Sequence, residues 1–192
     1  GGEIIYFEED EEINKIIEEY KDENTNLISF AHENFKVNKN ETVIIDDDNK
    51  LIKLKIFGKH NMQNLAGAKI VCEKLGIKNK HFYKAILSYE LPDRRLEKIF
   101  DGKIKIFKDF AHSPSKLKAT ISAVKIQYPN KLLVIYELHS SSSLDINFLR
   151  NYKDSLSESS FTIIYISEDK KDFDLKEKFL KECFNEKKIL LV

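Results

Sequence analysis

The sequence predicts an α/β protein built in two lobes, and three observations carry that reading. Apolar residues in the second half alternate between short strand-like runs and stretches of helical spacing, which is the pattern of consecutive βαβ units. One continuous apolar run, Leu132 to Leu138, has the composition of a parallel strand covered on both faces. Upstream, Leu91-Pro92-Asp93 interrupts a helical pattern, because proline disfavours helix in the residue before it. The chain is therefore divided into lobes 1–91 and 92–192.

The first lobe opens on Glu3-Ile4-Ile5-Tyr6-Phe7, a buried strand by composition. Ile13, Ile16, Ile17 and Tyr20 then follow helical spacing, with acidic residues on the other face. Leu27 to Phe30 is a short apolar run. Thr42 to Ile45 and Leu51 to Phe57 flank Asp46-Asp47-Asp48-Asn49-Lys50, the signal of a hairpin whose polar link is a solvated turn. A helix is predicted over 64–75, with Leu65, Ala68, Cys72 and Leu75 on one face and Gly76 at its C-terminal cap. A second helical stretch covers 79–89.

The second lobe begins with a strand over Ile104 to Lys108. Ser113 then takes a helix N-cap position with Pro114 first in the helix, and Leu117, Ile121, Val124 and Tyr128 form its buried stripe. The strand over 132–138 follows, then a short helix near 146–156 and a strand at Phe161 to Ile166. A helix near 174–185 and a strand over 188–192 complete the series. Ligands of such open sheets sit beyond the carboxyl ends of the strands. Asp109, His112, Glu137 and His139 all fall at such ends.

Composition bounds the function. The 192 residues suffice for one large domain or two small ones, and a hydrophobic content of 42% supplies a core. Lys+Arg and Asp+Glu both number 32, which gives no bulk charge to attract nucleic acid. Two cysteines make no disulfide framework and fit a reducing cytoplasm. No apolar run approaches the roughly 20 residues that cross a bilayer, and no signal peptide is visible, so no membrane association is expected. The start on Gly1-Gly2 and the end on apolar Ile189-Leu190-Leu191-Val192 both look cut, so a piece of a longer protein is expected.

Two polar clusters stand ahead of helical patterns: Gly58-Lys59-His60-Asn61-Met62-Gln63-Asn64 and Asp109-Phe110-Ala111-His112-Ser113-Pro114. Helix N-termini suit anionic ligands, and two such clusters suggest one ligand site shared between the lobes. Asn64 carries a donor and an acceptor that suit either a nucleobase edge or a helix cap. His60 and Asn61 are loop residues on this reading, suited to a ligand or to backbone. Arg94 and Arg95 suit phosphate through their planar forks, or are surface charges beside Glu97. Asp109 suits ribose hydroxyls, a metal-bound water or a turn. His112 suits a general base or a substrate contact, since histidine as a residue type titrates near neutrality. Glu137-Leu138-His139 followed by Ser140 to Ser143 offers hydroxyls and backbone donors to a peptide or carboxylate, or is a plain loop. No Cys/His set has zinc spacing, and no G-x-x-x-x-G-K-[ST] loop occurs.

Together these residues resemble the Mur ligase family. Gly58-x-His60-Asn61-x-x-Asn64-x-x-Gly67-Ala68 is similar to its G-x-H-N-x-x-N-x-L-A-A element. Arg94-Arg95-Leu96-Glu97 is similar to R-R-x-E, and Asp109-Phe110-Ala111-His112-Ser113-Pro114 to D-[FY]-[AG]-H-x-P. Order and spacing agree over residues 40–145. The resemblance implies the end of a central ATP-binding domain over 1–91 and a Rossmann-like C-terminal domain over 92–192. It implies an ATP-dependent ligase that joins an amine to the carboxylate of UDP-N-acetylmuramate through an acyl phosphate. Within the family, the Asp109–Lys116 and Glu137–His139 segments look most like the branch that recycles a cell-wall tripeptide. The branch that adds L-alanine is the runner-up, since its Pro-His-Arg-Tyr type of segment is absent here. A folylpolyglutamate synthase, or a non-catalytic module that keeps the fold, would share the same resemblance.

Residue by residue, the resemblance implies that Asn64 contacts adenine and that Arg95, with Arg94 beside it, meets the phosphates on lobe closure. Asp109 holds the nucleotide, while His60 and Asn61 line its pocket. His112, Ser113, Glu137, His139 and Ser140 face the incoming amine substrate. Arg95 and His112 are the catalytic candidates. The family's phosphate loop, Mg²⁺ ligands and UDP-binding domain belong upstream of Gly1, so the 192-residue chain alone is expected to be inactive.

Overall fold

In the computed structural model, which describes residues 2–22, 24–139, 143, 145–166, 177–184 and 189–191, the chain divides into two units, Gly1–Glu90 and Leu91–Val192. In the first unit, β1 (Glu3–Phe7) and β2 (Asn26–Phe30) pair in parallel across the helix α1 (Glu11–Tyr20). Asp10 starts that helix, since its carboxylate accepts the Glu12 and Ile13 N–H groups, each at 3.0 Å. The α1 stripe is not a core face: no residue of the helix is buried, and Tyr20 is 73% exposed.

The strands β3 (Phe35–Asn38), β4 (Glu41–Ile45) and β5 (Leu51–Leu54) form an antiparallel sheet in that order. The expected hairpin is β4–β5, with Ile44 opposite Ile52 and Thr42 opposite Leu54, and all four are buried. Asp46 closes its turn by accepting the Asp48 and Lys50 N–H groups at 3.0 and 2.8 Å. Two helices follow, α2 (Lys59–Lys74) and α3 (Asn79–Ile86).

Helix α2 departs from expectation. It starts at Lys59, so His60 and Asn61 are helical and Asn64 lies in the second turn rather than at a cap. Gly58 makes the early start possible. Its φ of 95° suits glycine, and its carbonyl accepts the Asn61 and Met62 N–H groups at 3.0 and 3.1 Å. The buried residues are Asn61, Met62, Leu65 and Ala66, whereas Ala68 and Leu75 of the predicted face are exposed. The helix ends as expected at Gly76, whose φ is 80°. The Gly76 and Ile77 N–H groups reach the Glu73 and Cys72 carbonyls, each at 2.9 Å, which is a Schellman closure.

In the second unit, β6 (Glu97–Asp101) and β7 (Lys105–Lys108) form an antiparallel ribbon. The strand expected to open the βαβ series thus belongs to a separate two-stranded sheet. The tight Gly102 turn folds it back on β6, with the Gly102 N–H on the Ile104 carbonyl at 3.2 Å. Then come α4 (Pro114–Gln127), β8 (Leu133–Glu137), α5 (Ile146–Leu149), a 3-10 turn at Arg150–Tyr152, β9 (Phe161–Tyr165), α6 (Glu177–Phe184) and β10 (Ile189–Leu191). The three last strands are parallel in the order β10-β9-β8.

One cluster forms this unit's core: Leu117 and Ile121 of α4 with Tyr136, Leu138, Leu149, Tyr152, Ile164, Leu180 and Phe184. The Tyr136 and Tyr152 hydroxyls pair at 3.0 Å inside it, and burial pushes the Tyr136 hydroxyl above the ordinary phenol range. The strand β8 is covered on one face rather than two among the described residues, since Leu133 and Ile135 are 56% and 68% exposed. Cys72 and Cys183 are free thiols. Among the described residues, no helix is long and apolar enough to cross a membrane.

Candidate functional site

The first group of candidate residues lies at the entrance of α2. Asn61 is 5% exposed, and its amide donates to the Phe57 carbonyl at 2.8 Å. That bond ties the helix to the strand end it follows. Asn64, one turn on, is exposed, and His60 is half-buried.

The second group joins two of the sequence elements. Arg94 and Leu96 both have left-handed backbone, with φ of 59° and 47°. Side chains bearing Cβ seldom adopt this conformation, so the surroundings must hold it. The Arg95 N–H reaches the Pro92 carbonyl at 3.1 Å, and the Arg94 N–H reaches Glu97 Oε2 at 3.1 Å. The Phe110 N–H donates to the Arg94 carbonyl at 2.9 Å. The Leu96 N–H donates to Asp109 Oδ1 at 3.2 Å, and the Thr120 hydroxyl donates to Asp109 Oδ2. The Arg-Arg-Leu-Glu and Asp-Phe-Ala-His elements are thus one hydrogen-bonded body. Arg94 and Arg95 themselves are exposed. Sequence reasoning missed Thr120, because a threonine inside a helix carries no signal that it reaches a residue eleven positions earlier.

The third group is aromatic. Phe110 lies between two histidines, with ring centroids 5.1 Å from His112 and 5.7 Å from His139. His112 Nδ1–H donates to the Phe110 carbonyl at 3.0 Å, and His139 Nδ1 faces the Glu137 carbonyl at 3.4 Å. Because a carbonyl only accepts, the His112 bond places a proton on Nδ1 and leaves Nε2 for another partner. The Tyr152 hydroxyl faces the His112 carbonyl at 3.5 Å. Ser113 occupies the N-cap of α4 before Pro114, but its hydroxyl makes no capping bond. Glu137 is exposed at the end of β8, and Ser140 lies outside the described residues.

A further polar cluster in the first unit was invisible in the sequence. Lys69 Nζ lies 2.7 Å from the Tyr83 hydroxyl, 3.0 Å from Asp47 Oδ1 and 3.9 Å from Glu33 Oε1. Asn79 donates to Asp47 Oδ2 at 2.5 Å. The bonds from Asn79 and Lys69 hold the Asp47 carboxyl below its usual range. Burial alone lowers the Lys69 ammonium, but its bonds to Tyr83 and Asp47 outweigh that and raise it. Asp47 is therefore the anchor of its turn on α2 and α3, whereas Asp46 serves the turn itself. Among the described residues, no three His, Cys, Asp or Glu side chains converge on a metal position.

The fold these elements build is that of the Mur ligases. A ligase named MurF from Acinetobacter baumannii superposes with a TM-score of 0.75 at 15% identity, covering 99% of this chain and 42% of its own. MurF ligase from Thermotoga maritima, in complex with ADP, gives 0.68 at 16% identity, covering 98% and 43%. A murein peptide ligase from Psychrobacter arcticus gives 0.61 at 18% identity, covering 100% and 43%. Identities this low speak to fold alone.

The sequence relatives narrow the class. No family model matches the chain. A UDP-N-acetylmuramate–L-alanine ligase of Fusobacterium nucleatum is 27% identical over 183 residues, 86% of this chain and 38% of that protein. The ligase of the same name from Caldicellulosiruptor bescii is 36% identical over 107 residues, 55% of this chain and 23% of that protein. The chain thus spans well under half the length of these relatives. Homologues and structural neighbours together support the Mur ligase family. They do not single out the peptide-recycling branch read from Glu137-Leu138-His139, because these relatives carry the alanine-ligase name.

Proposed function

We propose that this chain serves an ATP-dependent ligase that forms an amide bond at the carboxylate of UDP-N-acetylmuramate, with L-alanine as the incoming amine. The observation that carries the reading is the juncture of two ordered sequence elements in one body. The left-handed turn that presents Arg94 and Arg95 is bonded directly to Asp109. That bond ties the backbone of two exposed arginines to the residue that follows strand β7, and a pair of planar donors there suits phosphate recognition. The name shared by the sequence relatives supports L-alanine as the amine.

On this reading, Arg95 with Arg94 neutralises phosphate charge, which is how such transfers gain most of their rate. Asn64, exposed on α2, reads the adenine edge. Asp109 holds the nucleotide with the lone pairs that Leu96 and Thr120 leave to it. His60 lines the nucleotide pocket with no assigned chemical step, and Asn61 shapes the entrance from inside the fold. His112 receives the incoming amine at Nε2, with Ser113, Glu137, His139 and Ser140 around it. ATP supplies the activated phosphate that makes the substrate carboxylate reactive. A cytoplasmic location follows from this reading, since ATP and nucleotide sugar are used there. A cell-wall tripeptide is the second reading for the amine, favoured by the Glu137-Leu138-His139 segment.

The test is ligation by the protein encoded by the complete gene, supplied with ATP, Mg²⁺, UDP-N-acetylmuramate and either L-alanine or the tripeptide. Phosphate release that requires L-alanine supports the first reading, and release that requires the tripeptide supports the second. Release with neither refutes the ligase reading and leaves a binding module. The 192-residue chain alone is expected to give no turnover.

A further inference from the structure

We propose that Thr120 is a positioning residue for Arg95, acting through Asp109 and the Leu96 N–H. The identity of the anion that Arg95 meets rests on the ligase reading above. The brace itself rests on geometry. Arg95 stands between two left-handed residues, Arg94 and Leu96, so the direction in which its Cα–Cβ bond leaves the chain depends on that turn being held. Such backbone persists only where its neighbours over-determine it.

Four bonds do so here. Two are local, to the Pro92 carbonyl and to Glu97, and a third comes from the Phe110 N–H. The fourth is the Leu96 N–H to Asp109 Oδ1, and this one continues outward. The other oxygen of the same carboxylate accepts the hydroxyl of Thr120, a half-buried residue of the 14-residue helix α4. A carboxylate held at one oxygen alone rotates about its terminal bond, because that torsion is broad. Held at both, it keeps Oδ1 aimed at Leu96. Leu96 is itself anchored, being 4% exposed. The hydroxyl of Thr120 thus transmits the rigidity of a helix to a turn whose conformation is intrinsically unfavourable. The benefit is a fixed backbone under Arg95, so that only its side-chain torsions remain to be ordered when an anion binds.

The experiment compares Thr120→Val, Thr120→Ala and Thr120→Ser. The serine variant keeps the hydroxyl and serves as the rescue. In the 192-residue chain, the valine and alanine variants should speed hydrogen exchange of the Leu96 amide by about tenfold, the effect of losing one charge-assisted bond. Amides of β4 and β5 should stay unchanged, and the serine variant should match the parent. In the ligase encoded by the complete gene, the same two variants should raise the KM for ATP roughly tenfold and leave the KM for the amine unchanged. Unchanged Leu96 exchange in both overturns the brace. Faster exchange with an unchanged KM for ATP overturns the positioning of Arg95. A parent protein that does not ligate overturns the ligase reading, and with it the phosphate role of Arg95, while the exchange result still judges the brace.

Discussion

Replacing Asn61 by alanine separates a structural asparagine from a binding one. Asn61 is 5% exposed and donates to the Phe57 carbonyl at 2.8 Å, and Phe57 is itself only 7% exposed. Loss of the bond costs about 0.5–1.5 kcal/mol, and leaving a buried carbonyl without its donor adds about 1–3 kcal/mol. Alanine returns about 0.5 kcal/mol through its better helix propensity. The net expectation is a loss of about 2 kcal/mol, or roughly 4–8 °C in the melting temperature for a chain of this size. Asn61→Asp should cost more, because a buried carboxylate then faces the carbonyl with no proton to donate. Asn64→Ala, made at an exposed position one turn away, should stay within about 0.5 kcal/mol of the parent. Asn64→Ala should also abolish any rise in melting temperature produced by ADP with Mg²⁺. Urea unfolding and thermal melts with and without ADP measure both effects. An Asn61→Ala variant as stable as the parent would refute the structural assignment and return Asn61 to the ligand.

The remaining predictions concern the same unit. Gly58→Ala should destabilise by about 1–3 kcal/mol in urea unfolding, because a φ of 95° strains any residue bearing Cβ; an unchanged midpoint would remove that argument. Asp47 has a folded pKa below its usual 3.8, so its contribution to stability is present above that value and is lost as pH falls through the lowered one. The urea-midpoint difference between the parent and Asp47→Asn should therefore be largest near neutrality and shrink towards pH 2; a difference constant with pH would show that the ion pair is not its source.

Much of the fold was legible because it follows apolar periodicity. The β4–β5 hairpin, the α4 stripe of Leu117, Ile121 and Val124, and the parallel strands β8 and β9 are all patterns that count hydrophobic residues. What was missed lacks that pattern. Strand β3 has only four residues, two of them polar, and β6 pairs with β7 as a ribbon whose Ile99, Phe100 and Ile106 are about half exposed. The start of α2 was missed because the residue that anchors it, Asn61, is polar and buried. Asp47 looked like its neighbours in a turn, since its partners Lys69 and Asn79 lie 22 and 32 residues away. Polar contacts at such separations leave no periodic trace.

The same contrast bears on the candidate site. Three residues on a helix turn about 300°, so positions 61 and 64 differ by about 60° around the axis. At the edge of a buried face that offset suffices to put one amide inside and the next in solvent, as Asn61 and Asn64 show. The two asparagines of one short element therefore play different parts, since one fixes the helix that displays the other. Asp109 and Arg95 repeat the division in the second unit. The acid binds the backbone of the turn, and the exposed guanidinium is what that turn displays. In each unit a polar residue commits hydrogen bonds to the fold, buried Asn61 in the first and half-buried Asp109 in the second, and the specificity of the site then depends on how rigidly the exposed neighbour is held.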